Sequence, residues 1–181
     1  MNLANKITLF RVFLVPVFIL VFNLESPGPT YISALIFTFA ALTDTLDGYI
    51  ARSRNLITNF GKFADPLADK VLTSAALILL VGANKVPAWI VIIIIGREFT
   101  ITGFRTIAAS EGITIAASKW GKLKTISQLV AIILLLINNF PFNLIGLPLD
   151  TITLYLALGL TIISGVDYIV KNKHALKIEN I

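Results

Sequence analysis

The chain has 181 residues, 56% hydrophobic and 14% charged, with a mean hydropathy of +0.87 and a formal net charge of +5. A soluble domain carries about 25% charged residues, and a chain this short leaves much of its surface exposed, so the composition excludes an ordinary soluble globule. The absence of cysteine excludes disulfides and thiolate chemistry.

Six apolar segments follow in order, at residues 7–24, 31–51, 66–83, 86–109, 122–138 and 147–170. Their lengths lie near the ~20 residues, or about 17 at the short end, that a membrane-spanning helix needs. Their richness in Leu, Ile, Val, Phe and Ala favours helices over barrel strands. Basic residues precede the first apolar run, as in a signal peptide, but no small-x-small site follows at Asn23 to Ser26, so a retained first span is expected. The fourth segment makes the weakest case for a span, because Arg97, Glu98 and Arg105 interrupt it. Turn residues separate the segments at Ser26-Pro27-Gly28-Pro29, at Gly82-Ala83-Asn84-Lys85, and from Asn138 to Asn143. Pro66 suits the first turn of the third helix, with Asp65 near its cap.

Six spans place both termini on one side of a membrane. Fourteen of the fifteen Lys and Arg residues, all but Lys85, then fall on that side. The positive-inside rule makes it cytoplasmic. These charges flank spans beside an anionic leaflet, which removes a nucleic-acid reading of the positive charge. Tyr31, Trp89 and Tyr168 read as aromatics of the interface belt. His174 lies in a polar tail, and Glu25 and Asp150 lie on the opposite side.

Four of the six aspartates crowd into one stretch, Asp44-x2-Asp47-Gly48-x2-Ala51-Arg52-x8-Gly61-x3-Asp65-x3-Asp69. Residues three and four apart share a helix face. Asp44, Asp47, Gly48, Ala51 and Arg52 therefore form one stripe, and Gly61, Asp65 and Asp69 form a second. A carboxylate at mid-bilayer costs ~2.5–3.5 kcal/mol on an insertion scale, less near the interface. Clustering adds like-charge repulsion unless cations intervene. Carboxylates are hard oxygen ligands that suit Mg²⁺ or Mn²⁺. Two divalent cations would neutralise the set and leave positions for phosphate oxygens. Gly48 and Ala51 allow a ligand close to the backbone, and Arg52 can take a phosphate bidentately. Metal-assisted phosphoryl chemistry on a lipid is the reading these residues favour. Capping and interfacial anchoring would explain any single aspartate, but not four in register.

This stretch matches the CDP-alcohol phosphatidyltransferase signature at every fixed position, and the chain resembles that family beyond it. Asn5-Lys6-Ile7-Thr8-Leu9-Phe10-Arg11 is similar to the family's Asn-x2-Thr-x2-Arg. Gly96-Arg97-Glu98-Phe99-x3-Gly103-x-Arg105 and Lys119-x-Gly121-Lys122-x-Lys124-Thr125 resemble its phosphatidylglycerophosphate synthase branch. The likeness covers residues 1–125, while the last two segments match only in hydropathy and length. Ala4 stands where Pro is common, and Trp120 where a smaller apolar residue is usual.

The resemblance implies an all-α integral membrane protein, a single catalytic domain over residues 1–181 with six transmembrane helices and a site open to the cytoplasm. It implies a homodimer. A bacterial plasma membrane is the expected location, with an organelle's inner membrane as the alternative. Asp44, Asp47, Asp65 and Asp69 would hold two Mg²⁺ or Mn²⁺ ions, with Asp69 also the general base. CDP-diacylglycerol would be held by Asn5, Thr8, Gly48, Ala51, Arg52 and Gly61. The acceptor, sn-glycerol 3-phosphate, would be bound through its phosphate by Arg97, Arg105 and Lys119. For Arg97 the competing reading is an ion pair with Glu98 or an interfacial anchor. Two alternatives stand beside this one. A sister transferase would take phosphatidylglycerol, inositol phosphate or serine as acceptor. A cation transporter would use the Asp cluster as an ion path, although such a path should place acidic groups near mid-membrane and on more spans.

Overall fold

The computed structural model describes the backbone of residues 3–24, 31–53, 59–110, 112, 115 and 118–172, and the side chains of 9–24, 31–43, 70–109, 112, 115 and 118–172. These residues form six α-helices: α1 Leu3–Leu24, α2 Tyr31–Ser53, α3 Asn59–Gly82, α4 Ala88–Ser110, α5 Lys119–Leu136 and α6 Leu149–Asn172, with a 3₁₀ turn at Phe142–Ile145 before α6. Each apolar segment of the sequence is thus the body of one helix. The third boundary is corrected. α3 starts at Asn59 rather than at residue 66, so Asp65 and Pro66 stand inside the helix and not at its cap. Hydropathy finds the apolar part of a helix, whereas the backbone ladder continues into polar sequence, and an interior proline removes a bond without necessarily ending the helix. The proposed turn at residues 26–29, together with Glu25 and His174, lies outside the described residues.

Two of the turns that reverse the chain are built on asparagine. At the end of α3, the Lys85 amide donates to the Leu80 carbonyl and the Asn84 amide to Val81, both at 2.9 Å, with Asn84 at φ 57°. At the end of α5, the Asn139 amide reaches Leu134 at 2.8 Å and the Asn138 amide reaches Leu135 at 3.3 Å, with Asn138 at φ 54°. Both are Schellman closures, which satisfy the last carbonyls of a helix and need a residue that tolerates the left-handed region. Asn139, itself at φ 57°, also binds its side chain across the turn. Its Nδ2 donates to the Leu147 carbonyl at 2.7 Å, and its Oδ1 accepts the Asp150 amide at 3.2 Å. The turn residues named in the sequence therefore act by backbone conformation and by capping the helix that follows.

One cluster of buried apolar side chains draws on all six helices. Phe18, Phe37, Leu72, Leu77, Leu80, Ile90, Ile94, Ile132 and Leu136 form its most buried part, with Leu154 and Leu158 contributed by α6. α5 packs along α6, and α1 packs against α2 and α3. Phe18 meets Phe37 with ring centroids 6.0 Å apart in a tilted arrangement, a favoured aromatic geometry.

The outside of the bundle also carries many large apolar side chains. Phe13, Leu35, Ile78, Ile92, Ile126, Leu156 and Val170 are all exposed, while Arg11, Ser33, Lys124, Ser127, Gln128, Thr161 and Ser164 are buried. Polar groups inside and apolar groups outside describe a helix bundle suited to lipid. Among the described residues, α6 is long and apolar enough to cross a membrane by length and composition.

Candidate active site

The helices supply the positions that the sequence marks. Asn5 and Thr8 lie on α1. Asp44, Asp47, Gly48, Ala51 and Arg52 lie on α2, and Gly61, Asp65 and Asp69 lie on α3. All ten side chains lie outside the described residues. What the backbone does provide is continuous helix through both acidic stripes, so the three- and four-residue spacings hold as faces. α2 and α3 also pack against each other, and α1 packs against both. Arg11, two helical steps of three beyond Asn5, is fully buried.

A second group of polar side chains gathers where the ends of α4 and α6 meet the start of α5. The Arg97 Nη2 donates to Ser164 Oγ at 3.0 Å. The Arg105 guanidinium carbon sits 5.4 Å from the centroid of the Tyr168 ring, within cation–π range. Glu98 turns the other way and forms an ion pair with Lys124 of α5. Lys70 of α3, the residue after Asp69, donates to Thr102 Oγ1 of α4. These four contacts tie α3, α5 and α6 to one half of α4. The acidic stripe of α3 thereby ends beside the helix that carries Arg97 and Arg105.

Small residues make room for Arg97. A Cβ added at Gly165 would stand 3.3 Å from Arg97 Cγ, tighter than an ordinary contact. One added at Gly121 would stand 3.3 Å from Ser118 Oγ and 4.0 Å from Arg97 Nη2. Ser118 caps α5 by accepting the Gly121 amide at 3.0 Å, the expected role for serine before a helix. Lys119, the first residue of α5, is exposed, and no contact joins its side chain to Arg97 or Arg105 among the described residues.

The competing reading of Arg97, an ion pair with Glu98, is not realised at contact distance: the Glu98 carboxylate pairs with Lys124, although its charge still acts on Arg97. One expectation needs correction. Tyr168 is not an interface aromatic: it is 3% exposed and carries the Arg105 charge on its ring. Tyr31 and Trp89 are exposed as expected. Sequence reasoning missed Ser164 and Gly165 and gave Tyr168 a different role. Their spacing of one and four residues on an otherwise apolar helix was the available signal.

Arg97 feels the opposite charge of Glu98 and, less strongly, the like charge of Arg105, and the Arg97 Nε and the Tyr168 hydroxyl are buried without a hydrogen-bond partner among the described residues. Two cations with a donor to spare suit a multiply charged anion. On the α2–α3 side, four carboxylates are a donor set that fits hard divalent cations. The described residues hold no group of three or more potential metal ligands; the four aspartates lie outside them.

Comparison with known proteins bears on the whole chain. It matches the CDP-alcohol phosphatidyltransferase family over residues 1–163. A Bacillus subtilis (strain 168) protein named CDP-diacylglycerol--glycerol-3-phosphate 3-phosphatidyltransferase is 46% identical, over 99% of each chain. A Haemophilus influenzae protein of the same name is 40% identical, over 97% of this chain and 95% of its own. A Mycobacterium tuberculosis protein named probable phosphatidylglycerophosphate synthase is 39% identical, over 94% of this chain and 81% of its own. The likeness therefore runs well past residue 125, into the last helices, where motif reading had found only matching hydropathy. The chain belongs to the CDP-alcohol phosphatidyltransferase family.

Proposed function

We propose that this protein is an enzyme of phospholipid synthesis that transfers the phosphatidyl group of CDP-diacylglycerol to sn-glycerol 3-phosphate, releasing CMP. The observation that carries the reading is the eight-position acidic signature on α2 and α3 in a chain 46% identical, from end to end, to a protein named for that activity.

In this reading Asp44, Asp47, Asp65 and Asp69 hold two divalent cations, Mg²⁺ or Mn²⁺. The ions, when bound, offset the negative charge of the donor's pyrophosphate and of the leaving CMP. Gly48 and Ala51 leave room for the nucleotide beside the α2 backbone, Arg52 binds its phosphate, and Asn5, Thr8 and Gly61 complete that subsite. Asp69 accepts the proton of the acceptor's 1-hydroxyl. The hydroxyl oxygen then forms its bond to the lipid-side phosphorus as the bond from that phosphorus to CMP breaks, and CMP leaves with the electron pair. Arg97, Arg105 and Lys119 hold the acceptor's phosphate. Arg97 and Arg105 stand on the helix that Lys70 links to α3, so donor and acceptor would meet at one end of the bundle. All six helices cross the membrane as a homodimer's repeating unit, with the termini and the site facing the cytoplasm.

The test is an acceptor panel. Purified protein in detergent with CDP-diacylglycerol and radiolabelled sn-glycerol 3-phosphate should give lipid-extractable label and free CMP. Label taken only from inositol phosphate, serine or phosphatidylglycerol would refute the acceptor assignment and point to a sister reaction. Cation flux in proteoliposomes without any CMP release would refute the transferase altogether.

A further inference from the structure

Tyr168 lies four residues beyond Ser164 and three beyond Gly165, so it neighbours both along the surface of α6. All three are buried, and none belongs to a motif that carries the family likeness. Each meets an arginine of α4. Ser164 accepts from Arg97 Nη2 at 3.0 Å, Gly165 leaves the clearance that the Arg97 stem fills, and the Tyr168 ring lies under Arg105.

We infer that this face of α6 is a positioning element, which fixes the separation and direction of the Arg97 and Arg105 guanidinium groups and so selects an acceptor bearing a phosphate. The inference rests on the proposed assignment of those arginines to the acceptor. Three observations converge on it. Arg97 and Arg105 are each held by a different α6 side chain, one through a hydrogen bond and the other over an aromatic ring. A guanidinium has five donors, and the Ser164 bond does not exhaust them, because Nε stays buried without a partner among the described residues. An anionic oxygen is the partner that would remove the cost of that unpaired donor. Finally, a Cβ at position 165 would stand 3.3 Å from Arg97 Cγ, so the arginine stem would have to shift by a few tenths of an ångström to admit it. The α6 residues touch no reacting atom in this account; they act through the arginines.

Steady-state kinetics of the full chain in detergent, with metal, test the idea. Gly165→Ala should raise the KM for sn-glycerol 3-phosphate several-fold and leave the KM for CDP-diacylglycerol within twofold. Tyr168→Leu, which removes the ring, should raise the acceptor KM about fivefold, while Tyr168→Phe, which keeps the π-face, should restore it. Ser164→Ala should weaken the acceptor and Ser164→Thr should restore it. Equal shifts in both KM values, or a loss confined to kcat and melting temperature, would mean ordinary packing and overturn the inference. Calorimetric binding of inorganic phosphate judges the α6 claim separately from turnover. Weaker binding in Gly165→Ala and Tyr168→Leu supports it, and unchanged binding overturns it. A wild-type protein that binds phosphate but transfers nothing to glycerol 3-phosphate would instead sink the proposed function.

Discussion

The ion pair between Glu98 and Lys124 joins α4 to α5 beside Arg97, and its two ends differ in burial. The Lys124 side chain is 1% exposed and the Glu98 side chain 19%. Removing one member of a buried pair costs about 3–5 kcal/mol, because the other charge stays out of water. Glu98→Leu strips the carboxylate from an ammonium that solvent does not reach, so its loss should fall inside that range. Lys124→Met leaves a carboxylate that water partly reaches and should cost less. The double variant, with two apolar side chains of similar volume, should recover much of the loss, since such replacements are often neutral or stabilising. Unfolding of the four proteins in mixed micelles, followed by Trp89 and Trp120 fluorescence, gives the cycle. Contacting residues show coupling of about 0.5–3 kcal/mol, and this pair belongs at the upper end. Coupling below about 0.5 kcal/mol, or a larger loss for Lys124→Met than for Glu98→Leu, would refute the argument from burial.

Four further outcomes are expected. Asp69→Asn should lower kcat by at least about a hundredfold with an unchanged melting curve, and a wild-type rate would remove its role as base. Chelation should abolish CMP release, and Mg²⁺ or Mn²⁺ should restore it where Ca²⁺, with its looser coordination, does so poorly; activity that survives chelation would refute the metal assignment. Arg105→Ala should raise the KM for the acceptor more than for the donor, and equal effects would place Arg105 outside the acceptor subsite. Asn139→Ala removes two side-chain hydrogen bonds that link the α5 turn to α6, and should cost about 1–3 kcal/mol in the same unfolding assay.

What the sequence disclosed and what it withheld divide along physical lines. Apolar runs announced the helix bodies because lipid-suited helices must be apolar over their middle length. They misplaced the start of α3, since the segment from Asn59 to Asp65 mixes Phe60, Phe63 and Ala64 with Gly61, Lys62 and Asp65 and so shows no sustained apolar run. The acidic signature could be read because it is a fixed pattern of residue types that the family match includes. Arg97 and Arg105 were visible as charges where charge is costly. Their supports on α6 were not. Ser164, Gly165 and Tyr168 are small or amphipathic residues in an apolar helix, and only the packing of α6 against α4 shows what they touch. Tyr168 was misread because the aromatic belt is a statistical habit of helix ends, whereas the ring is covered by Arg105. Lys124 stood in a recognisable basic motif, yet nothing in linear order showed that it would reach back to Glu98.

The charged middle of α4 has a bearing on how the chain is built. In the proposed six-span arrangement, a helix holding Arg97, Glu98 and Arg105 is a poor candidate to rest in lipid by itself. Its carboxylate is answered by α5 and its guanidinium groups by α6. In that arrangement α4 would be at home in the bilayer only with α5 and α6 beside it, so the carboxyl-terminal half would hold together as one triplet.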